Sequence, residues 1–159
     1  MIKKKKFEKQ ELRITGTVVR VKTEDVKSKT GEFYYNEDKT QTKKKITVDL
    51  YVGYEVISNK EVDKYYRIGL SYYPGSYKGI MDMVDQMYDL KEGDEVEFSY
   101  TIDTFTWGTG ENIGIGTSLR PCTITFTGGD DVRKCVNIIK RYDPHPDVDS
   151  QDNPNDLPF

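Results

Sequence analysis

The chain has 159 residues, with 24 basic and 27 acidic side chains for a net charge of −3, and is rich in tyrosine, with 12 against six Phe and one Trp. That length suits one domain with a single core, and no run approaches the roughly 20 apolar residues that a membrane span needs. The start, Met1-Ile2-Lys3-Lys4-Lys5-Lys6-Phe7, is basic with no apolar stretch behind it, so it is no secretory signal, and Cys122, Cys135 and the lone His145 lack metal-ligand spacing. No metal is expected, and the chain reads as cytoplasmic.

Residues 1–10 form a basic arm whose Lys3–Lys6 run adds non-specific attraction for polyanions. Glu11 to Val21 alternates, is rich in β-branched residues and predicts a strand, with Gly16 marking a bend of the kind a barrel strand shared by two sheets needs. From Thr23 to Thr42 the chain is polar and predicts a long loop or hairpin extension carrying Tyr34 and Tyr35. Lys43 to Ile57 is the clearest strand, with Ile46, Val48, Leu50 and Val52 on one face and Thr47, Asp49, Tyr51 and Gly53 on the other. Lys64 to Tyr73 repeats the pattern, opposing Tyr66, Ile68 and Leu70 to Tyr65, Arg67 and Gly69.

Pro74-Gly75 breaks that strand, and Ser76 is placed to cap a helix carrying Tyr77, Ile80, Met81, Val84, Met87 and Tyr88 at helical spacing. Residues 91–94 predict a turn and Glu95 to Ile102 a strand. Asp103 to Thr117 is glycine-rich and predicts a projecting hairpin. Arg120 to Thr127 predicts a further strand, turned by Gly128-Gly129-Asp130-Asp131. Val132 to Tyr142 has apolar spacing that fits a helix face, while its short preceding turn and β-branched content favour a last strand.

Three strands, one helix and further strands imply an all-β chain with small α content. Antiparallel strands remove their edges by closing, and a helix between the third and fourth can plug the bottom. Residues 11–141 therefore predict a five-stranded OB-fold barrel. Such a barrel grips single strands along its second and third strands and the flanking loops, stacking bases on aromatics while cations follow the phosphates. The candidates are Tyr51, Tyr65, Arg67 and Tyr73 on those strands, Phe105 and Trp107 on the hairpin, Tyr34 and Tyr35 on the long loop, and Lys43, Lys44 and Lys45 at its junction. Tyr54, Tyr66 and Tyr72 are expected to pack the barrel.

From Tyr142 onward the chain reads YDPHPDVDSQDNPNDLPF, with five acids and no Lys or Arg, so the body before it holds 24 basic against 22 acidic residues. Dense in proline and poor in apolar groups, residues 142–159 predict a disordered acidic tail. Yet the segment closes on Asp156, Leu157, Pro158 and Phe159, a hook that suits a basic, apolar pocket on another protein. This ending resembles the C-terminal tip of bacterial and phage single-stranded DNA-binding proteins, the SSB family, departing from it at Asn155. The resemblance implies sequence-independent binding of single-stranded DNA in replication, recombination or repair, with replication and repair proteins recruited through the tip. The divergent body suits a bacteriophage or mobile-element member, acting in a bacterial cytoplasm or infected host cell.

No cofactor and no catalysis are expected: His145 lies in the tail, and Gly108-Thr109-Gly110 lacks the Gly-Lys-(Ser/Thr) ending of a phosphate loop. Two other readings stand beside this one, an OB-fold protein-interaction adaptor and an RNA-binding OB-fold protein. An exposed edge strand offers a route to a homo-oligomer.

Overall fold

The computed structural model describes residues 2–127 and 132–144. Asp156, Leu157, Pro158 and Phe159, together with His145 and the turn expected over 128–131, lie outside the described residues.

Strand β1 (Leu12–Asp25) is long enough to pair twice. Its first half runs antiparallel to β4 (Glu95–Trp107), from Leu12 opposite Tyr100 to Thr17 opposite Glu95. Its second half runs antiparallel to β2 (Lys44–Ile57), from Thr17 opposite Tyr51 to Asp25 opposite Lys44, with a bulge between Val18 and Arg20. Thr17 is the handover. Gly16, where the sequence suggests a bend, precedes it in regular strand, and a Cβ there would stand 2.8 Å from the Tyr51 carbonyl oxygen. A tight two-residue turn at Ser58 and Asn59, both at positive φ, joins β2 to β3 (Lys60–Tyr72). Strand β3 meets β5 (Gly114–Pro121) in parallel, β5 pairs with β4, and β4 returns to β1. The circuit β1-β2-β3-β5-β4 is a closed five-stranded barrel of OB-fold layout.

Inside it, Val18, Ile46, Val48, Leu50, Ile68, Leu70, Val96 and Phe98 are each at most 1% exposed. Helix α1 (Lys78–Tyr88), lying between β3 and β4, adds Ile80, Met83, Val84 and Met87 to this core. Two expectations for it need correction. Ser76 is not the cap: its hydroxyl donates to the Tyr73 carbonyl and closes the Pro74-Gly75 turn, and the helix starts at Lys78 behind Tyr77, one residue later than a Ser76 cap would place it. Tyr77 and Tyr88, counted with the apolar face, are instead more than 70% exposed.

The strand expected over Arg120–Thr127 also differs. Pro121 ends β5, and after Cys122 and Thr123 only β6 (Ile124–Thr125) remains, paired with β7 (Arg133–Lys134). Beyond it β8 (Val136–Lys140) pairs with β4, so the 132–142 stretch forms two short strands broken at Cys135 rather than a helix. A helix is prevented there because the neighbours take the backbone: the Cys135 N–H donates to Gln86 Oε1 at 2.9 Å, and its carbonyl accepts from the Ser99 N–H at 2.8 Å.

After β8 the chain is latched to the α1–β4 loop. The Asp94 carboxylate, 1% exposed, accepts from the Lys91 N–H at 2.9 Å, the Tyr142 N–H at 3.0 Å and Arg141 Nη1 at 2.7 Å. Burial works against its charge, yet these donors together hold its pKa below the ordinary 3.8.

Candidate nucleic-acid interface

Strand alternation leaves half of each strand's side chains outside the core, and the registers align them in rows. One row crosses β1, β2 and β3 as Arg20, Asp49 and Arg67, and the next along β2 and β3 is Tyr51 and Tyr65. The two rings meet edge to face, centroids 5.6 Å apart, and the Tyr51 hydroxyl donates to Asp63 at 3.5 Å. Desolvation and the Asp63 charge raise the Tyr51 phenol above its ordinary 10.0, so it stays neutral.

Arg67 and Arg20 both grip Asp49, at 2.7 and 2.8 Å. Hydrogen bonds from Arg67 and then Arg20 hold the Asp49 carboxyl below its ordinary 3.8 against the opposing effect of burial. On the hairpin, Phe105 stands opposite Gly116 and Trp107 opposite Gly114, their centroids 5.7 Å apart. Each ring rests on its facing glycine, where a Cβ would overlap it. That is why β5 can be glycine-rich and still be a strand. A groove of about 510 Å³ separates this hairpin from β2 and β3, lined by Lys45, Arg67, Gly69, Asp103, Phe105 and Arg120. The Lys45 stem crosses Gly69, and Lys9 pairs with Asp103 at 2.8 Å on the opposite wall.

The structure thus brings Lys45, Arg67 and Phe105 to one groove, with Tyr51 and Tyr65 continuing it on one side and Trp107 on the other. Tyr34, Tyr35 and Lys43 sit apart, on a β1–β2 hairpin extension pinned by bridges between Lys27 and Phe33 and between Tyr35 and Thr42. There Lys43 Nζ lies 5.7 Å over the Tyr34 ring and Lys27 Nζ 4.8 Å over Phe33. Lys44 shares the register face of Ile46 and Val48, and pairs with Asp25 at 2.8 Å. Tyr73 is half-buried in the turn after β3.

Solved structures offer a comparison for this geometry. The chain is similar to the Plasmodium falciparum SSB in complex with ssDNA, at 15% identity and a TM-score of 0.42, over 87% of this chain and 100% of that one. It is also similar to the small single-stranded DNA-binding protein of Streptomyces coelicolor, at 11% identity and a TM-score of 0.34, over 72% and 88% of the two chains. No protein-family model matches the chain, and no curated protein does.

Sequence reasoning missed Tyr54. Strict alternation counts it with Leu50 and Val52, but a bulge between Tyr51 and Gly53 inserts one residue, with Gly53 at φ 128°, and reverses the parity. Tyr54 therefore stands opposite Asp63 on the face of Tyr51 and Tyr65, and is 58% exposed. A glycine inside an otherwise regular strand was the available signal. Tyr66 and Tyr72 do pack against the core as expected, Tyr66 edge to face with Tyr100. Arg20 and Arg120 were missed too, although both fall on outward positions of their strands. Among the described residues no group of three metal-ligating side chains forms, and no helix is long and apolar enough to cross a membrane.

Proposed function

We propose that this protein binds single-stranded DNA without sequence preference, by stacking bases on its outer aromatics and following phosphates with the cations between them. One observation carries the reading: the exposed Phe105–Trp107 pair stands on one side of a groove whose walls carry Lys45, Arg67 and Arg120, and past Arg67 the half-buried Tyr51 and the exposed Tyr65 form a second aromatic pair. Every base offers a π-face, so such platforms tolerate any sequence, whereas a duplex keeps its bases stacked on each other. The body's slight basic surplus supplies only a few phosphate contacts, which leaves stacking to provide much of the affinity.

The acidic segment ending in Asp156, Leu157, Pro158 and Phe159 supports a second role, recruitment of replication, recombination or repair proteins in a bacterial or phage-infected cytoplasm. Trp107 is the single tryptophan, and its ring lies beside Phe105 on the groove wall, so its emission is a probe of binding there. Titration with oligo-dT should quench it at far lower concentration than duplex DNA does. Equal affinity for the two would overturn the proposal. A stronger response to oligo-U would move the ligand to RNA, and no response to any nucleic acid would leave the face as a protein interface.

A further inference from the structure

The Arg20, Asp49, Arg67 row differs from an ordinary surface ion pair. The carboxylate lies at the floor, its side chain 14% exposed, while the Arg20 and Arg67 side chains are 56% and 64% exposed. Arg20 places Nε and Nη2 on Oδ2 at 3.2 and 2.8 Å, and Arg67 places Nε on Oδ1 at 2.7 Å and Nη2 on Oδ2 at 3.2 Å. Each guanidinium commits only part of its donor fork downward, and the remainder is free for an acceptor arriving from solvent. One carboxylate balances one of two cations, so the row keeps a positive charge. It borders a concavity of about 700 Å³ lined by Val19, Arg20, Asp49, Tyr65, Arg67 and Glu92, which adjoins the Tyr51–Tyr65 pair.

We infer that Arg20 and Arg67 form a phosphate clamp on the β1-β2-β3 face, with Asp49 as the positioning residue that holds both guanidiniums from below. The inference rests on the single-strand reading of the groove and adds to it the path of the backbone: from the tyrosine platform the strand runs across β2 onto β1. Phosphate fits a guanidinium fork in the same planar manner as carboxylate, so a phosphate above and Asp49 below can share the two cations. Glu92, and Glu24 which lies near enough to act on Arg67, are the acids that oppose an approaching phosphate here. Without Asp49 the two cations would repel each other and regain their rotamer freedom.

The test is Trp107 emission titrated with oligo-dT at several salt concentrations, in the full chain and in Arg20→Ala, Asp49→Asn and Asp49→Glu. Arg20→Ala should weaken binding several-fold and make the slope of log K against log salt shallower by about 0.7, the value for one phosphate on a single strand. Asp49→Asn raises the net charge by one, yet should bind less tightly, and Asp49→Glu should recover part of the loss. An unchanged slope and affinity in Arg20→Ala would remove Arg20 from the path. Equal or tighter binding by Asp49→Asn, or no recovery in Asp49→Glu, would make Asp49 a mere counter-ion and end its positioning role. If the unaltered protein binds no single strand, the clamp falls together with the reading it rests on; if it binds and the variants match it, only the clamp falls.

Discussion

Trp107 and Phe105 each rest on the glycine opposite and keep the other side of the ring in solvent, 56% and 53% exposed. A ring held this way contributes little to the core, so Trp107→Ala and Phe105→Ala should each leave the melting temperature nearly unchanged. Each should weaken oligo-dT binding by about 1–3 kcal/mol, the usual loss per stacked base. Tyr54→Ala should behave alike, since the bulge delivers Tyr54 to the same face as Tyr51. Fluorescence anisotropy of a labelled oligonucleotide, beside thermal melts, checks all three, and a large fall in melting temperature without loss of affinity would mark these rings as structural. Tyr66 gives the contrast: it packs on Tyr100 and the core, and its truncation should cost stability first.

At the scale of elements, the latch between β8 and the α1–β4 loop is the feature most exposed to pH. Asp94 is held below its ordinary 3.8, so its contribution is full above that value and disappears as pH falls through the lower folded-state value. Asp49 follows the same sign. Denaturant melts should therefore show stability lost below about pH 4, with Asp94→Asn flattening that loss. At neutral pH Asp94→Ala should cost about 2–3 kcal/mol, because it strands backbone donors at Lys91 and Tyr142 and a charged one on Arg141. The barrel strands were legible because β2 and β3 alternate cleanly where one face is buried, and α1 because Ile80, Val84 and Met87 repeat at helical spacing. What escaped reading depends on contacts remote in sequence. Ser76 looked like a cap until Tyr73 claimed its hydroxyl, Tyr54 followed the wrong parity because a bulge is one unannounced residue, and the strand expected from Arg120 starts earlier, at Gly114, where the glycines are completed by rings from β4. Of the candidate site, Tyr51, Tyr65, Arg67, Phe105 and Trp107 were readable as outward aromatics and cations, whereas Arg20 acquires meaning only beside Asp49.

For the whole molecule, charge sets the terms of binding. With 24 basic against 22 acidic residues before Asp143, few phosphates can be neutralised, so the salt slope with oligo-dT should stay modest at about −0.7 per contact. Deleting residues 150–159 removes Asp152 and Asp156 and moves the net charge from −3 to −1. Affinity for oligo-dT should then hold or rise slightly at low salt, where an acidic segment competes best with phosphate. Capture of replication and repair enzymes from a lysate should fall, and Phe159→Ala alone should reproduce much of that fall. Retention of every partner by the truncated chain would remove the recruiting role. The barrel's closure carries a last consequence. Strands β3 and β5 meet through one ladder pair, Ile68 with Leu119, and the walls of the groove stand on either side of that seam. A ligand spanning both walls is then linked to closure itself: saturation at a hundredfold excess over Kd adds about 2.7 kcal/mol to the closed form. Backbone amides along β5 should exchange with deuterium more slowly once oligo-dT is bound, while those deep in the β2–β3 ladder, already protected, keep their rates.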